Sequence, residues 1–201
     1  MDLEGMVTAP MDAPSRSAAV VVCHPHPQYG GDMNNGVVAA ICGALEQEGI
    51  VSLRFNFRGV GASEGAYDEG KGEVEDLKAA LGFLGNWPGV DKGRVGVAGY
   101  SFGAMVTLAG AKGLKGAKAL ALVSPPGHAL EGQVKPRSGV PLLFVVGSED
   151  ATVRAQTLEE RMSNVAGEAR LEVVPGANHF WRGQEGEAAE LVARFFGEAL
   201  S

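Results

Sequence analysis

Short apolar runs of strand length alternate with longer stretches whose apolar residues recur every three to four positions. The first strong run is Ala18-Ala19-Val20-Val21-Val22-Cys23, and Asp32 to Glu48 then reads as a helix, with Asp32 as its N-cap and Gly49 as its stop. Ile50 to Phe55 is a second strand. Glu73 to Leu84 places Val74, Leu77, Leu81 and Leu84 on one helical face. Arg94 to Ala98 is a strand and Ser101 to Lys112 a helix. Ala119 to Val123 and Pro141 to Val146 are further strands, followed by a helix over Thr152 to Val165. Ala169 to Val174 is the last strand and Glu185 to Leu200 the closing helix. Strands that are apolar throughout, alternating with helices, predict a mostly parallel sheet covered on both faces. The segment Leu3 to Ala9, turning at Pro10 to Pro14, adds an antiparallel strand at one edge, for about seven strands in all.

Length and composition narrow the picture. The 201 residues suit one domain spanning 1–201, and 45% apolar with 20% charged residues is ordinary globular composition. No run reaches the ~20 apolar residues of a membrane helix. Met1-Asp2-Leu3-Glu4-Gly5 lacks the basic, apolar, small-residue order of a secretory signal, so a cytoplasmic location without a membrane partner is expected. Seventeen basic against twenty-four acidic side chains give a net charge of −7, with no Lys/Arg cluster, which leaves a nucleic-acid partner without electrostatic footing. Cys23 and Cys42 are too few for a disulfide framework and read as buried reduced thiols.

In sheets of this kind, sites collect where loops leave the carboxyl ends of strands. After Arg94 to Ala98 comes Gly99-Tyr100-Ser101-Phe102-Gly103, and then a helix: G-x-S-x-G in a strand–turn–helix setting. Such a turn leaves a serine hydroxyl standing at a helix N-terminus, where the Phe102 amide can face a developing oxyanion. A serine needs a base to take its proton. Of the four histidines, His179 lies in Pro175-Gly176-Ala177-Asn178-His179-Phe180, directly after the last strand. An acid must orient the imidazole, and Gly147-Ser148-Glu149-Asp150 follows Pro141 to Val146. Asp150 and its neighbour Glu149 are successive residues that point in different directions, so one of the two is expected to face the histidine, and Asp150 is taken as that one. Ser101, Asp150 and His179 occur in the order Ser…Asp…His.

These features together resemble the α/β-hydrolase superfamily over essentially the whole chain, and within it a capless bacterial serine-hydrolase branch that includes dienelactone-hydrolase-like and esterase-like proteins. The resemblance is carried by His24-Pro25-His26-Pro27-Gln28-Tyr29-Gly30-Gly31-Asp32-Met33-Asn34-Asn35, by the N-F-R-G-x-G-x-S-x-G stretch from Asn56 to Gly65, by the serine turn, and by G-x-x-D-x-x-V from Gly147 to Val153. It implies that the loop after the first strong strand supplies the second oxyanion donor, assigned to the His26 amide, with Gln28 and Tyr29 as alternatives. Gln28, Tyr29 and Trp181 are candidate substrate contacts. Phe102, Tyr29 and Trp181 either wall an acyl pocket or simply pack. His24-x-His26 has no third ligand evident nearby, so metal is not expected. Arg58 to Gly65 has G-x-G-x-x-x-G spacing rather than the dinucleotide fingerprint and is read as a loop near the site entrance.

The expected activity is acyl-enzyme hydrolysis of small, short-chain carboxylic esters. The same triad also suits an amide, peptide or thioester bond, and a non-catalytic binding domain is a third reading. No metal or organic cofactor is implied, and the partner expected is a small-molecule ester. A monomer and a homodimer are equally compatible with the sequence. The connection Ser124 to Val140, seventeen residues with Pro125, Pro126 and Pro136, is too short for a multi-helix cap.

Overall fold

A computed structural model describes residues 1–11, 15–130, 139–162 and 168–201. Among these, seven strands form one sheet: β1 (Gly5–Thr8), β2 (Ser17–Cys23), β3 (Val51–Phe55), β4 (Val90–Tyr100), β5 (Leu120–Val123), β6 (Leu142–Gly147) and β7 (Ala169–Val174). The order is β1-β3-β2-β4-β5-β6-β7, with only β1 antiparallel, paired to β3. Five helices accompany them: α1 (Gly36–Gln47), α2 (Lys71–Gly85), α3 (Phe102–Gly110), α4 (Ala155–Met162) and α5 (Glu185–Ala199). This is the α/β-hydrolase fold, and among the described residues there is no cap domain. None of these helices is long and apolar enough to cross a membrane.

The apolar strands sit between two cores. Ala19, Val21 and Cys23 of β2 pack into a layer with α2 and α3, whereas Ala18, Val20 and Val22 pack into the opposite layer with α1 and α5. Burial on both faces explains why the strand shows no polar alternation. After β3 the chain reverses direction across the sheet and enters at β4, on the far side of β2. The crevice of such a sheet opens at this reversal, outside the carboxyl ends of β2 and β4. The loop after Cys23 and the turn after Tyr100 both lie there.

Three helix starts differ from the expectation by two residues or more. The first helix begins at Gly36, capped by Asn35, whose Oδ1 accepts from the Val37 N–H at 3.0 Å. Asp32 instead closes a local turn by accepting from Asn34 N–H at 2.7 Å. Both residues can cap, and pattern alone did not choose between them. The second helix starts two residues earlier than Glu73, because the buried Glu73 carboxylate reaches back to the Asp68 and Gly70 amides, each at 2.8 Å. The fourth helix starts at Ala155, and the expected end at 163–165 lies outside the described residues, as do Pro14 of the first turn and Pro136 of the proposed connection.

The polar residues of the Asn56–Gly65 stretch fasten a loop to the β1 segment. Asn56 Oδ1 accepts from the Met33 N–H (2.8 Å), and its Nδ2 donates to Glu4 Oε2 (2.7 Å). Ser63 Oγ accepts from the Glu4 N–H (2.9 Å) and donates to the Asn56 carbonyl (2.7 Å). Arg58 grips the buried Asp76 carboxylate with its Nε (3.0 Å) and its terminal nitrogen (2.7 Å). Arg58 to Gly65 is not part of the cleft wall, but Tyr67 and Glu69, just after it, are.

The ends of β6 and β7 are fastened as tightly. Ser148 and Glu149 amides donate to the Val174 and Ala177 carbonyls, both at 2.9 Å. A Cβ on Gly147 would fall 2.0 Å from the Ala177 oxygen, so only glycine permits this approach. Gly147→Ala is expected to lower unfolding stability by about 2 kcal/mol or more through forced backbone displacement. Urea denaturation measures it, and an unchanged midpoint would contradict the packing described.

Candidate active site

Ser101 occupies a left-handed backbone conformation (φ 51°, ψ −110°), which costs a non-glycine residue roughly 1–3 kcal/mol. Its neighbours hold it there. The Ser101 N–H donates to the Val123 carbonyl at 2.9 Å, and its own carbonyl accepts from Met105 N–H at 3.0 Å. The flanking glycines are needed for close approach: a Cβ on Gly99 would lie 2.4 Å from the Gly103 oxygen, and one on Gly103 would lie 2.4 Å from the Cys23 oxygen. The G-x-S-x-G spacing thus lets the first turn of α3 press against the ends of both β4 and β2.

The three residues expected to act together are adjacent. Ser101 Oγ lies 3.1 Å from His179 Nε2, and His179 Nδ1 lies 2.9 Å from Asp150 Oδ2. A carboxylate only accepts, so Nδ1 carries the imidazole proton and Nε2 is free to accept from the serine hydroxyl. Asp150 is buried, whereas Glu149 points to solvent, so the two neighbours do face in different directions. Asp150 Oδ1 also accepts from the Thr152 and Val153 amides (2.9 and 3.0 Å), which gives the D-x-x-V spacing a physical meaning. Burial works to raise the Asp150 carboxyl, but His179, the Ser124 hydroxyl and the Val153 amide outweigh it and hold the group below the usual carboxylate range. The His179 backbone is pinned as well, its carbonyl accepting from the Tyr100 hydroxyl at 2.7 Å.

The loop after β2 forms a tight turn. The amides of Tyr29 and Gly31 donate to the His26 carbonyl, that of Gly30 to the Pro27 carbonyl, and that of Gln28 to His26 Nδ1. The His26 and Phe102 N–H groups, by contrast, meet no acceptor among the described residues. Of the amides considered for the second donor, Gln28 and Tyr29 are therefore already engaged.

A cleft of about 1130 Å³ opens at Ser101 and His179. Its walls include Tyr29, Tyr67, Phe102, Met105, Arg161 and Phe180. Tyr29, 87% exposed, stands at the rim with its ring 4.6 Å from that of His26. Two expected contacts are corrected. Trp181 is fully buried and borders the core, with its Nε1–H donating to Ser124 Oγ at 3.1 Å; its aromatic bulk anchors the His179 loop rather than walling a pocket. Gln28 is exposed and lies outside the cleft lining, because the turn aims its side chain to solvent while its amide caps the His26 ring. Tyr67, Tyr100 and Arg161 were not singled out from sequence: Tyr67 lies in a loop without a motif, and Tyr100 and Arg161 lie in β4 and α4, whose patterns signal only packing or solvent exposure.

His24 is fully buried and both ring nitrogens are committed. Nε2 accepts from the Phe57 N–H at 3.0 Å, which leaves Nδ1–H to donate to the Pro25 carbonyl at 2.7 Å. Neither nitrogen is left for a metal, and among the described residues no three His, Cys, Asp or Glu side chains converge as a ligand set. Burial pushes the His24 imidazole down from 6.5 to about 4, against opposing pulls from the Pro25 carbonyl and Asp32. Below pH 6.5 the unfolded chain therefore takes up a proton that the folded chain refuses until about pH 4. Its contribution is fully present above that window and is lost on acidification, by about 3 kcal/mol in total. NMR titration of the His24 ring should show its midpoint near 4; one near 6.5 would rule out the buried neutral tautomer.

Residues 62–194 match the model of the dienelactone hydrolase family. An uncharacterized protein of Rickettsia prowazekii (strain Madrid E) is 33% identical over 181 residues, 86% of this chain and 75% of that one. Among solved structures, an α/β serine hydrolase homologue from Coxiella burnetii is 38% identical (TM-score 0.83), covering 96% of this chain and 91% of that one. An α/β serine hydrolase without a lid from Xanthomonas campestris is 31% identical (TM-score 0.84), covering 96% and 89%.

Proposed function

The chain belongs to the dienelactone hydrolase family, and from that premise we propose that it is a serine hydrolase cleaving small, short-chain carboxylic esters through an acyl-enzyme. The observation that carries the reading is the continuous hydrogen-bonded line from the buried Asp150 carboxylate through the His179 imidazole to Ser101 Oγ, which opens on the cleft.

In this mechanism Ser101 Oγ attacks the ester carbonyl carbon as its proton passes to His179 Nε2. The carbonyl π-bond opens, and the oxyanion is met by the Phe102 and His26 N–H groups, with the α3 N-terminus adding its positive dipole. The tetrahedral intermediate collapses by breaking the bond to the alkoxy oxygen, which takes the proton from His179 and leaves as the alcohol. Water then gives a proton to His179 Nε2 and attacks the acyl carbon. Collapse of the second intermediate returns the proton to Ser101 Oγ and releases the carboxylic acid. Asp150 stays charged throughout and stabilises the imidazolium. No metal or organic cofactor enters any step.

The reading is tested first by active-site labelling. A fluorophosphonate should modify Ser101, and Ser101→Ala should abolish both labelling and ester turnover while the circular dichroism spectrum is retained. Undiminished labelling of the alanine variant would reassign the nucleophile.

Substrate size follows from the missing cap. Each methylene contributes ~0.8 kcal/mol only where it leaves water, and an open cleft encloses few of them. Expected kcat/KM is therefore highest for acyl chains of about two to four carbons and falls for longer ones. Monodisperse p-nitrophenyl esters of increasing chain length provide the measurement, and a steady rise past medium chains would defeat the open-site argument.

A further inference from the structure

One wall of the cleft is an aromatic cluster that the triad chemistry does not use. The His26 ring packs 4.9 Å from the Phe102 ring and 5.2 Å from the Tyr67 ring, centre to centre, and Tyr67 in turn lies 5.8 Å from Phe102. The hydrogen bonding inside the cluster has a fixed sense. A main-chain N–H can only donate, so the Gln28 amide, 3.2 Å from His26 Nδ1, makes that nitrogen an acceptor. The His26 ring proton therefore resides on Nε2, which faces Tyr67 Oη at 3.3 Å. Tyr67 Oη accepts there, and its own hydrogen is turned away from His26. As Tyr67 lines the cleft, that hydrogen is available to whatever occupies it.

We propose that Tyr67, held by the His26 imidazole, is a specificity-determining donor that recognises a neutral oxygen acceptor, an ether, hydroxyl or keto oxygen, on the acyl arm of the substrate. The inference rests on the ester-hydrolase reading above and extends it to the substrate's chemical class. Two further observations shape it. Burial, joined by the Glu73 and Glu69 carboxylates, raises the Tyr67 hydroxyl above the usual range, so it remains a donor, while the two carboxylates repel an anionic acceptor beside it. The leaving oxygen must face His179, whose ring contacts are Tyr100 and Phe180. Tyr67 belongs to the other cluster, beside the two candidate oxyanion amides, where the acyl arm passes.

The experiment compares isosteric acyl arms in wild type and Tyr67→Phe: p-nitrophenyl methoxyacetate against butanoate, and 3-methoxypropanoate against pentanoate. The intrinsic reactivity of each ester cancels when the two proteins are compared. For at least one pair, the oxygen-over-methylene ratio of kcat/KM should fall by about fivefold to tenfold in the variant, the size expected for one neutral hydrogen bond. Fluorophosphonate labelling of Ser101 in Tyr67→Phe confirms that the triad is assembled. Equal loss on both members of every pair, or no change in the ratio, overturns the proposal. A carboxylate-bearing arm, the monosuccinyl ester, whose advantage depends on Tyr67 would overturn the choice of a neutral acceptor. Wild-type protein that neither labels nor turns over any ester would remove the underlying reading and this one together.

Discussion

A close backbone approach at the site, the α3 first turn against the end of β2, is the constraint on which the rest depends. Gly103 has no side chain because the Cys23 carbonyl occupies the space where one would sit. That contact brings the helix N-terminus up to the loop leaving β2, so the Phe102 and His26 amides belong to one small region although 76 residues separate them in sequence. Without it the serine would still stand on a strained turn, but the second amide would have no fixed relation to it. The strain at Ser101 is likewise sustained from outside, by hydrogen bonds to Val123 and Met105 on different elements.

Much of this was legible in the sequence because the informative residues work through the main chain at strand ends. A continuous apolar run, a glycine-flanked serine, and an acid and a histidine each directly following a strand are patterns with few physical alternatives. Side-chain direction was less accessible. Trp181 follows His179 by two residues, and its size suggests a pocket wall; only the backbone at φ 57° turns it inward to Ser124. Gln28 sits in the right loop, but a 3-10 turn aims it outward. Tyr67 carries no local signature at all, because its significance comes from His26, 41 residues away. The choice of Asn35 over Asp32 as helix cap depended on a turn that neither propensity nor periodicity encodes.

The two histidines of the loop after β2 show how differently one residue type can be set. His24 is buried and neutral, and its ring replaces a main-chain acceptor for Phe57, so its role is architectural. His26, two residues on, lies partly open at the cleft, where burial lowers its imidazole only against the pull of Glu73. Proline on either side of His26 removes competing amide donors, and among the described residues the turn engages the Gln28, Tyr29, Gly30 and Gly31 amides while leaving that of His26 over.

The histidine loop hangs from β7, the outermost strand, whose residues Arg170, Glu172 and Val173 face solvent. Its position is nevertheless set from within, by Ala177 tucked over Gly147 and by the buried Trp181. The strand that carries the His179 loop is thus decoupled from the accuracy of the imidazole's placement. Changes at the exposed positions of β7 leave the imidazole's supports untouched, whereas changes at the two interior plugs act directly on its position.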